Sequence, residues 1–255
     1  MLHLLRKKVR LSRKGLVTPL IASLLIGVTL LFSSIVNAQF ERVEMNQSDH
    51  DAKPYYFGIT IGANLARFQT TLHPSFLTSD SIYVAEPTNS GGLTLGLHVT
   101  TRLSNRFQLR FNPQLMFIER NIFYKLKYPD LDNATAVTKK VESVIMSFPF
   151  QLKFQSDRIG NFRVYTMAGI KADIDMASNA RAKRAEELVK IEKYDWGPEF
   201  GIGFNFFFDS FIFSPEIKIS NGLGNIHSRD AALKYSSVFD RIQSRMIVFT
   251  IHLEG

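Results

Sequence analysis

Five histidines beyond residue 38, His50, His73, His98, His227 and His252, are the side chains best suited to acid–base chemistry near neutral pH. None has a serine or an acidic partner at a fixed spacing, so each reads as a satisfied polar residue rather than the base of a nucleophilic site. No compact cluster of histidine and carboxylate offers a metal site. The 255-residue chain has no cysteine, which excludes disulfides, thiolate metal sites and lipid attachment at a cysteine. No catalytic residue, cofactor site or metal site is therefore expected. A second chemistry-bearing set consists of Arg110, Lys153, Arg163, Lys171 and Lys218 with Asp173, Asp195, Glu199 and Glu216. Whether these are surface charges or an enclosed network depends on the strands that carry them.

Those strands announce themselves by alternation. From Phe107 to Phe117 the chain reads F-Q-L-R-F-N-P-Q-L-M-F, apolar at every odd place. Similar period-2 segments occur at about 55–68, 92–103, 141–155, 162–174, 194–207, 211–220 and 244–253, the signature of half-buried β-strands. The connections alternate too. Links 69–91, 125–140, 177–193 and 221–241 are long, and the three between them, beginning at Ser104, Ser156 and Phe208, are short. Eight antiparallel strands so joined predict an all-β, up-and-down barrel whose two ends face different compartments.

The N-terminal segment supplies the compartment. Arg6, Lys7, Lys8, Arg10, Arg13 and Lys14 precede an apolar run from Leu16 to Ile35 and the sequence Val36-Asn37-Ala38-Gln39, the layout of a secretory signal peptide cleaved after Ala38. The run is also long enough to span a bilayer, so an uncleaved anchor is the competing reading. The formal charge of +8 is concentrated here: six of 31 basic residues lie in 1–38, leaving 25 against 23 acidic ones. A nearly neutral mature chain lacks the cationic surface that nucleic-acid binding requires. Residues 39–53 are polar and without periodicity, a flexible lead before a barrel domain at 54–255.

A soluble barrel would turn its apolar face inward and a membrane barrel would turn it outward. The polar face decides, because it carries Gly58, Gly62, Gly96, Gly169, Gly197, Gly201 and Gly203 beside the charged set. Glycines suit a narrow lumen, whereas the outer face of a soluble barrel has no need of them. The apolar face is nearly free of charge, as lipid demands at about 2–4 kcal/mol per buried Lys or Arg. The reading is an eight-stranded antiparallel up-and-down transmembrane β-barrel of outer-membrane type, with four long extracellular loops and three short periplasmic turns. The charged set then becomes a lumenal ion network. Tyr55, Tyr56, Phe107, Phe162, Phe207, Phe208 and Phe211 are expected at the periplasmic interface, and Phe123, Tyr124, Tyr194 and Trp196 at the outer one. Pro113, Pro149, Pro198 and Pro215 should mark bulges or kinks, since each removes a ladder donor. Asn133-Ala134-Thr135 matches a glycosylation sequon that is uninformative in a bacterial chain, and Ala180 to Lys193 suits a short solvated helix, with a protein-contact element as the alternative.

At Ser147-Phe148-Pro149-Phe150-Gln151-Leu152-Lys153-Phe154, at Val164 to Ile170 with its Ala-Gly pair, and at Pro198-Glu199-Phe200-Gly201-Ile202-Gly203, the chain resembles the PorT family of outer-membrane β-barrels of Bacteroidota. That resemblance covers most of Tyr55 to Leu253. It implies a structural or accessory role beside the type IX secretion machinery, which exports cargo across the outer membrane and supports gliding motility. It brings no catalytic residues. The outward apolar face makes outer-membrane lipid one partner, and the resemblance implies the proteins of a secretion complex as others. A lipid-acting barrel enzyme and a small adhesin or ligand-binding barrel are the alternatives.

Overall fold

A β-strand needs only about 9–11 residues to cross a bilayer, yet the first strand, β1, runs 18 residues over Tyr55–Leu72. The computed structural model describes residues 44–74, 76, 81–129, 135–178, 189–228, 233 and 235–255. Within them β1 is followed by β2 (Ile82–Thr88), β3 (Ser90–Arg102), β4 (Phe107–Phe111), β5 (Gln114–Leu126), β6 (Ala136–Gln155), β7 (Phe162–Asp175), β8 (Tyr194–Phe207), β9 (Ile212–Asn221) and β10 (Phe239–Glu254). β2 and β3 are halves of one span, as are β4 and β5, so the ten segments make eight spans. All pairings are antiparallel, and β1 pairs with both β10 and β3. The sheet therefore closes on itself through the β1–β3 ladder as far as Ala66 and Ser90, above which β2 pairs with β5 alone and faces the upper end of β1 without a ladder. Among the described residues no helix is long and apolar enough to cross a membrane; the crossing belongs to the strands.

The outer face carries the expected apolar belt. Phe57, Ile59, Ile61 and Leu65 of β1, Leu93, Leu95 and Leu97 of β3, and Phe200, Ile202 and Phe204 of β8 all project outward and are exposed, Phe57 and Leu97 by more than 60%. The glycines occupy the inner face as expected. A Cβ on Gly58 would strike the His98 ring, and one on Gly203 would strike the Tyr165 ring. Neither ring can retreat, because His98 and Tyr165 are themselves buried in the lumen.

Beyond the belt the alternation changes phase. Ala66 and Phe68 turn inward and are buried, while Arg67 and Gln69 face out. In β5, Ile118, Ile122, Tyr124 and Leu126 point in; in β10, Ile242 and Met246 do so while Arg241 and Arg245 face water. The upper barrel is thus organised like a soluble one. Its core joins Phe68, Ile122, Tyr124, Phe239 and Ile242 of the strands to Val189, Ile191, Ile226, Tyr235 and Val238 of the connections. Burying each large apolar side chain contributes about 1.5–3 kcal/mol.

This phase change corrects the expected boundaries. Alternation alone predicts long links at 69–91, 125–140, 177–193 and 221–241; the strands continue past the lipid belt, and the gaps are 73–81, 127–135, 176–193 and 222–238. Three aromatic placements also change, since Tyr56, Tyr124 and Phe207 face inward and are buried. Tyr194 and Trp196 do lie on the outer surface. Pro113 falls in the break between β4 and β5, but the register is unshifted there: Phe111 faces Val99 and Gln114 faces Gly96. Pro149, Pro198 and Pro215 sit inside β6, β8 and β9 without a register shift, because a missing N–H can face a neighbour without adding a residue. The proposed signal peptide at 1–38, the sequon at Asn133 and most of the proposed loop helix lie outside the described residues; Val189–Lys193 is not helical.

Replacing Gly203 by Val should sharply reduce the yield of the fast-migrating, heat-modifiable folded form after refolding into detergent. Gly91→Val should leave it near wild type, since the nearest atom to a Cβ there is 4.0 Å away. Equal yields for the two variants would contradict a packed lumen.

Candidate functional site

Period-2 alternation brings inner-face side chains together from strands distant in sequence. Arg110 of β4, Gln151 and Lys153 of β6, Tyr165 of β7, Glu199 of β8, Glu216 and Lys218 of β9, and His252 and Glu254 of β10 are all buried in the lower lumen. Arg110 is the hub. Its guanidinium pairs with the Glu216 carboxylate and its Nε donates to Gln151 Oε1 at 2.6 Å. The Tyr165 hydroxyl donates to the same Glu216 at 2.9 Å, and Gln151 donates onward to Glu199, whose other oxygen lies 3.4 Å from Lys218 Nζ. Lys153 Nζ lies 3.7 Å from Glu254 and 4.1 Å from the Tyr165 ring centre. Three cations thus meet three carboxylates, which is the condition for burying charge at all.

Thr60 links this network to the two lumenal histidines. Its Oγ1 is 2.8 Å from His252 Nδ1 and 3.2 Å from His98 Nδ1. His252 Nε2 is 3.5 Å from Glu216 and His98 Nε2 is 3.3 Å from Glu254. Hydroxyl, imidazole and carboxylate in that order resemble a nucleophile with its base and orienting acid. The group is sealed, however: Thr60, His252 and Glu216 are 1%, 0% and 1% exposed, and Glu216 is already held by Arg110 and Tyr165.

The structure divides the expected ion network into three clusters. Arg110, Lys153, Lys218, Glu199 and Glu216 share the lower lumen, joined by Glu254, Tyr165 and Gln151, which sequence reasoning missed. Lys171, Asp173 and Asp195 lie at the upper end, where Lys171 pairs with Asp173, and Asp195 stands opposite Asp173 across β7 and β8. Arg120 joins that end, donating to Ser143 at 2.5 Å and lying 3.5 Å from Asp175. A cavity of about 10 Å³ lies between these side chains. His227 is buried there against Ser236 at 2.8 Å, and His73 lies in the first long connection. Among the described residues no group of three or more His, Asp or Glu could hold a metal ion.

Arg163, the last member of the set, belongs to the periplasmic mouth, where the largest correction falls. The lead expected to be flexible is docked from Glu44 onward. Ser48–Ala52 form a 3₁₀ turn that presents Asp51 to Arg163 at 2.9 and 3.1 Å, to Arg102 at 3.4 Å and to Arg158 at 3.9 Å. The Asn46 side chain donates to Phe207 O at 3.1 Å, and Gln47 donates to Phe208 O at 2.9 Å. His50 is buried with its ring centre 4.5 Å from that of Tyr56. Burial alone would raise the Asp51 carboxyl, but the hydrogen bond and charge of Arg163, with Arg102 and Arg158, hold it below its ordinary value. Burial lowers His50 to about 4, against the opposing charges of Glu254 and Asp51 and with the help of Lys53 and Arg102.

A closed antiparallel barrel with an apolar outer belt and a charged, filled lumen is a transmembrane β-barrel of the outer-membrane type. The chain belongs to the outer membrane protein β-barrel domain family, which matches residues 37–228. No curated protein matches it in sequence. Among solved structures it is similar to Neisserial surface protein A (10% identity, 77% of this chain and 95% of that one, TM-score 0.40). It is also similar to OprG from Pseudomonas aeruginosa (15%, 77% and 93%, TM-score 0.36) and to AlkL determined in DMPC bilayers (12%, 85% and 92%, TM-score 0.41). These similarities are distant.

Glu216→Ala strands the buried Arg110 charge and should cost about 3–5 kcal/mol in urea unfolding from lipid vesicles. The double variant Arg110→Met/Glu216→Leu should recover most of that loss, and a double variant as unstable as the single one would contradict the pairing. The docked lead should also respond to pH. A docked His50 titrates near 4 and an undocked one near 6.5, so docking is complete above pH 6.5 and weakens as pH falls towards 4. Hydrogen exchange over residues 46–52 should accelerate across that window, and His50→Phe should flatten the response; an unchanged profile in the variant would assign the effect elsewhere.

Proposed function

We propose that this chain is a non-conducting outer-membrane barrel that serves as a structural or accessory component of protein secretion, of the type IX kind. The observation that carries this reading is the closure of the interior. The lower lumen is filled by paired charge, the upper lumen by a second charged cluster and an apolar core, and the docked lead packs against the periplasmic mouth. Among the described residues the lumenal charged and nucleophilic groups are enclosed, which directs attention to the outer rim and the periplasmic lead. Both are suited to holding other proteins.

The segments that resemble the PorT family support the same reading by their position. Pro149 faces Lys171 in the ladder and Ile170 faces Pro198, so three stretches separated in sequence form one continuous panel of wall. On its lipid side the panel shows Phe150, Leu152, Ile170, Phe200 and Ile202. An exposed apolar panel in the membrane plane is a surface for lipid or for a neighbouring membrane protein. The lipid-acting enzyme is the weaker reading, because Thr60, His252 and Glu216 are enclosed.

Deleting the gene tests the proposal. Secreted cargo should be retained in the periplasm while lipid A stays unaltered, and mild-detergent pull-down of the tagged chain should recover envelope proteins of the secretion complex. An altered lipid A with secretion intact would overturn the secretion role in favour of the enzyme.

A further inference from the structure

We infer that Arg67 and Arg245 form a binding site for the phosphate of an outer-leaflet lipid headgroup. Arg67 of β1 and Arg245 of β10 are direct cross-strand partners, and both side chains lie on the outer face and are exposed. Directly opposed like charges destabilise an antiparallel pair. Elsewhere on the rim such a pair is relieved. Glu119 faces Glu142 across β5 and β6, but Glu119 also has Lys140 at 3.8 Å and Asn121 donating at 2.8 Å. Among the described residues neither Arg67 nor Arg245 has an ion pair or a side-chain hydrogen bond. Two uncompensated guanidinium groups held side by side invite one anion between them.

Their height identifies the anion. Arg67 and Arg245 stand two residues beyond Leu65 and Ile247, the last outward-facing apolar pair of β1 and β10, which are themselves cross-strand partners and exposed. From Tyr55 to Arg67 the chain climbs about 40 Å along the strand, or about 30 Å along the membrane normal at a tilt of about 40°, against an apolar band about 25 Å tall. Arg67 and Arg245 therefore sit at headgroup level, where the charge density is phosphate. Beside them lies an open groove of about 310 Å³, lined by Arg67, Gln69, Thr70, Pro87 and Arg245 together with Phe68. A phosphate is reached there by planar donors that bind two oxygens at once. The lipid chains below would lie on the Leu65 and Ile247 surface, so one lipid satisfies both halves of the site.

The test uses the full chain in detergent, with native mass spectrometry after addition of lipid A, dephosphorylated lipid A or inorganic phosphate. The wild type should retain lipid A, with dephosphorylated lipid A and inorganic phosphate both retained at least tenfold more weakly. An arginine near an anionic surface is worth about fivefold in binding, so Arg67→Gln should weaken lipid A retention about fivefold and Arg67→Gln/Arg245→Gln about 25-fold. Lys140→Gln, on the opposite part of the rim, should change nothing, and heat-modifiable migration should show all variants folded. Equal retention by the double variant, equal retention of dephosphorylated lipid A, or inorganic phosphate bound as well as lipid A would each overturn the proposal.

Discussion

The ion pair between Arg110 and Glu216 lies in a space that offers neither partner any solvent. A charge so placed is tolerable only if its neighbours replace much of what water would have supplied, and the surrounding side chains do so by charge pairing, although Arg110 Nη1 and Glu216 Oε1 keep no hydrogen-bond partner of their own. Gln151 takes the second face of the guanidinium, Tyr165 donates to the carboxylate, and His252 approaches its other oxygen. Lys153 and Lys218 find Glu254 and Glu199. The glycines belong to the same constraint, because the Tyr165 ring occupies the space that a side chain at position 203 would need. A narrow barrel filled in this way is a rigid wall around a closed interior.

Much of this architecture is readable from period-2 patterning. The fifth, sixth and seventh spans lie within a residue of where alternation places them, because their length is close to the width of the lipid belt. The other spans run longer than expected for one reason: at Leu65-Ala66 and its counterparts the strand leaves lipid for water, the apolar side chains move from the outer to the inner face, and the regular alternation breaks. A break in period normally signals the end of a strand. Here it signals a change of solvent. The lumenal network was readable in composition but not in grouping, since Arg163, Lys171 and Asp195 sit at heights set by register and by strand tilt. Glu254 carries no such signal, because it lies one residue past Leu253, where the readable alternation of the last strand stops.

The lead was the least readable element. Nothing in Glu44 to Lys53 has periodicity, and its order comes from partners supplied by three separate short turns and strands: Arg102, Arg158 and Arg163 around Asp51. An acidic residue whose partners are distributed in this way leaves no local sequence signal. Among the described residues the lower mouth is held by polar contacts, and the upper end adds an apolar core to its charged cluster.

All of this rests on the apolar face meeting lipid, and the chain carries its own probe of that claim. Trp196 is the single tryptophan and projects outward near the upper edge of the belt, 60% exposed. In vesicles containing brominated lipids its fluorescence should be quenched strongly, more by bromines near the headgroup end of the acyl chain than by those near the bilayer centre, with little quenching by aqueous iodide. Fluorescence indifferent to brominated lipid at every depth would contradict the outward apolar face and the account built on it.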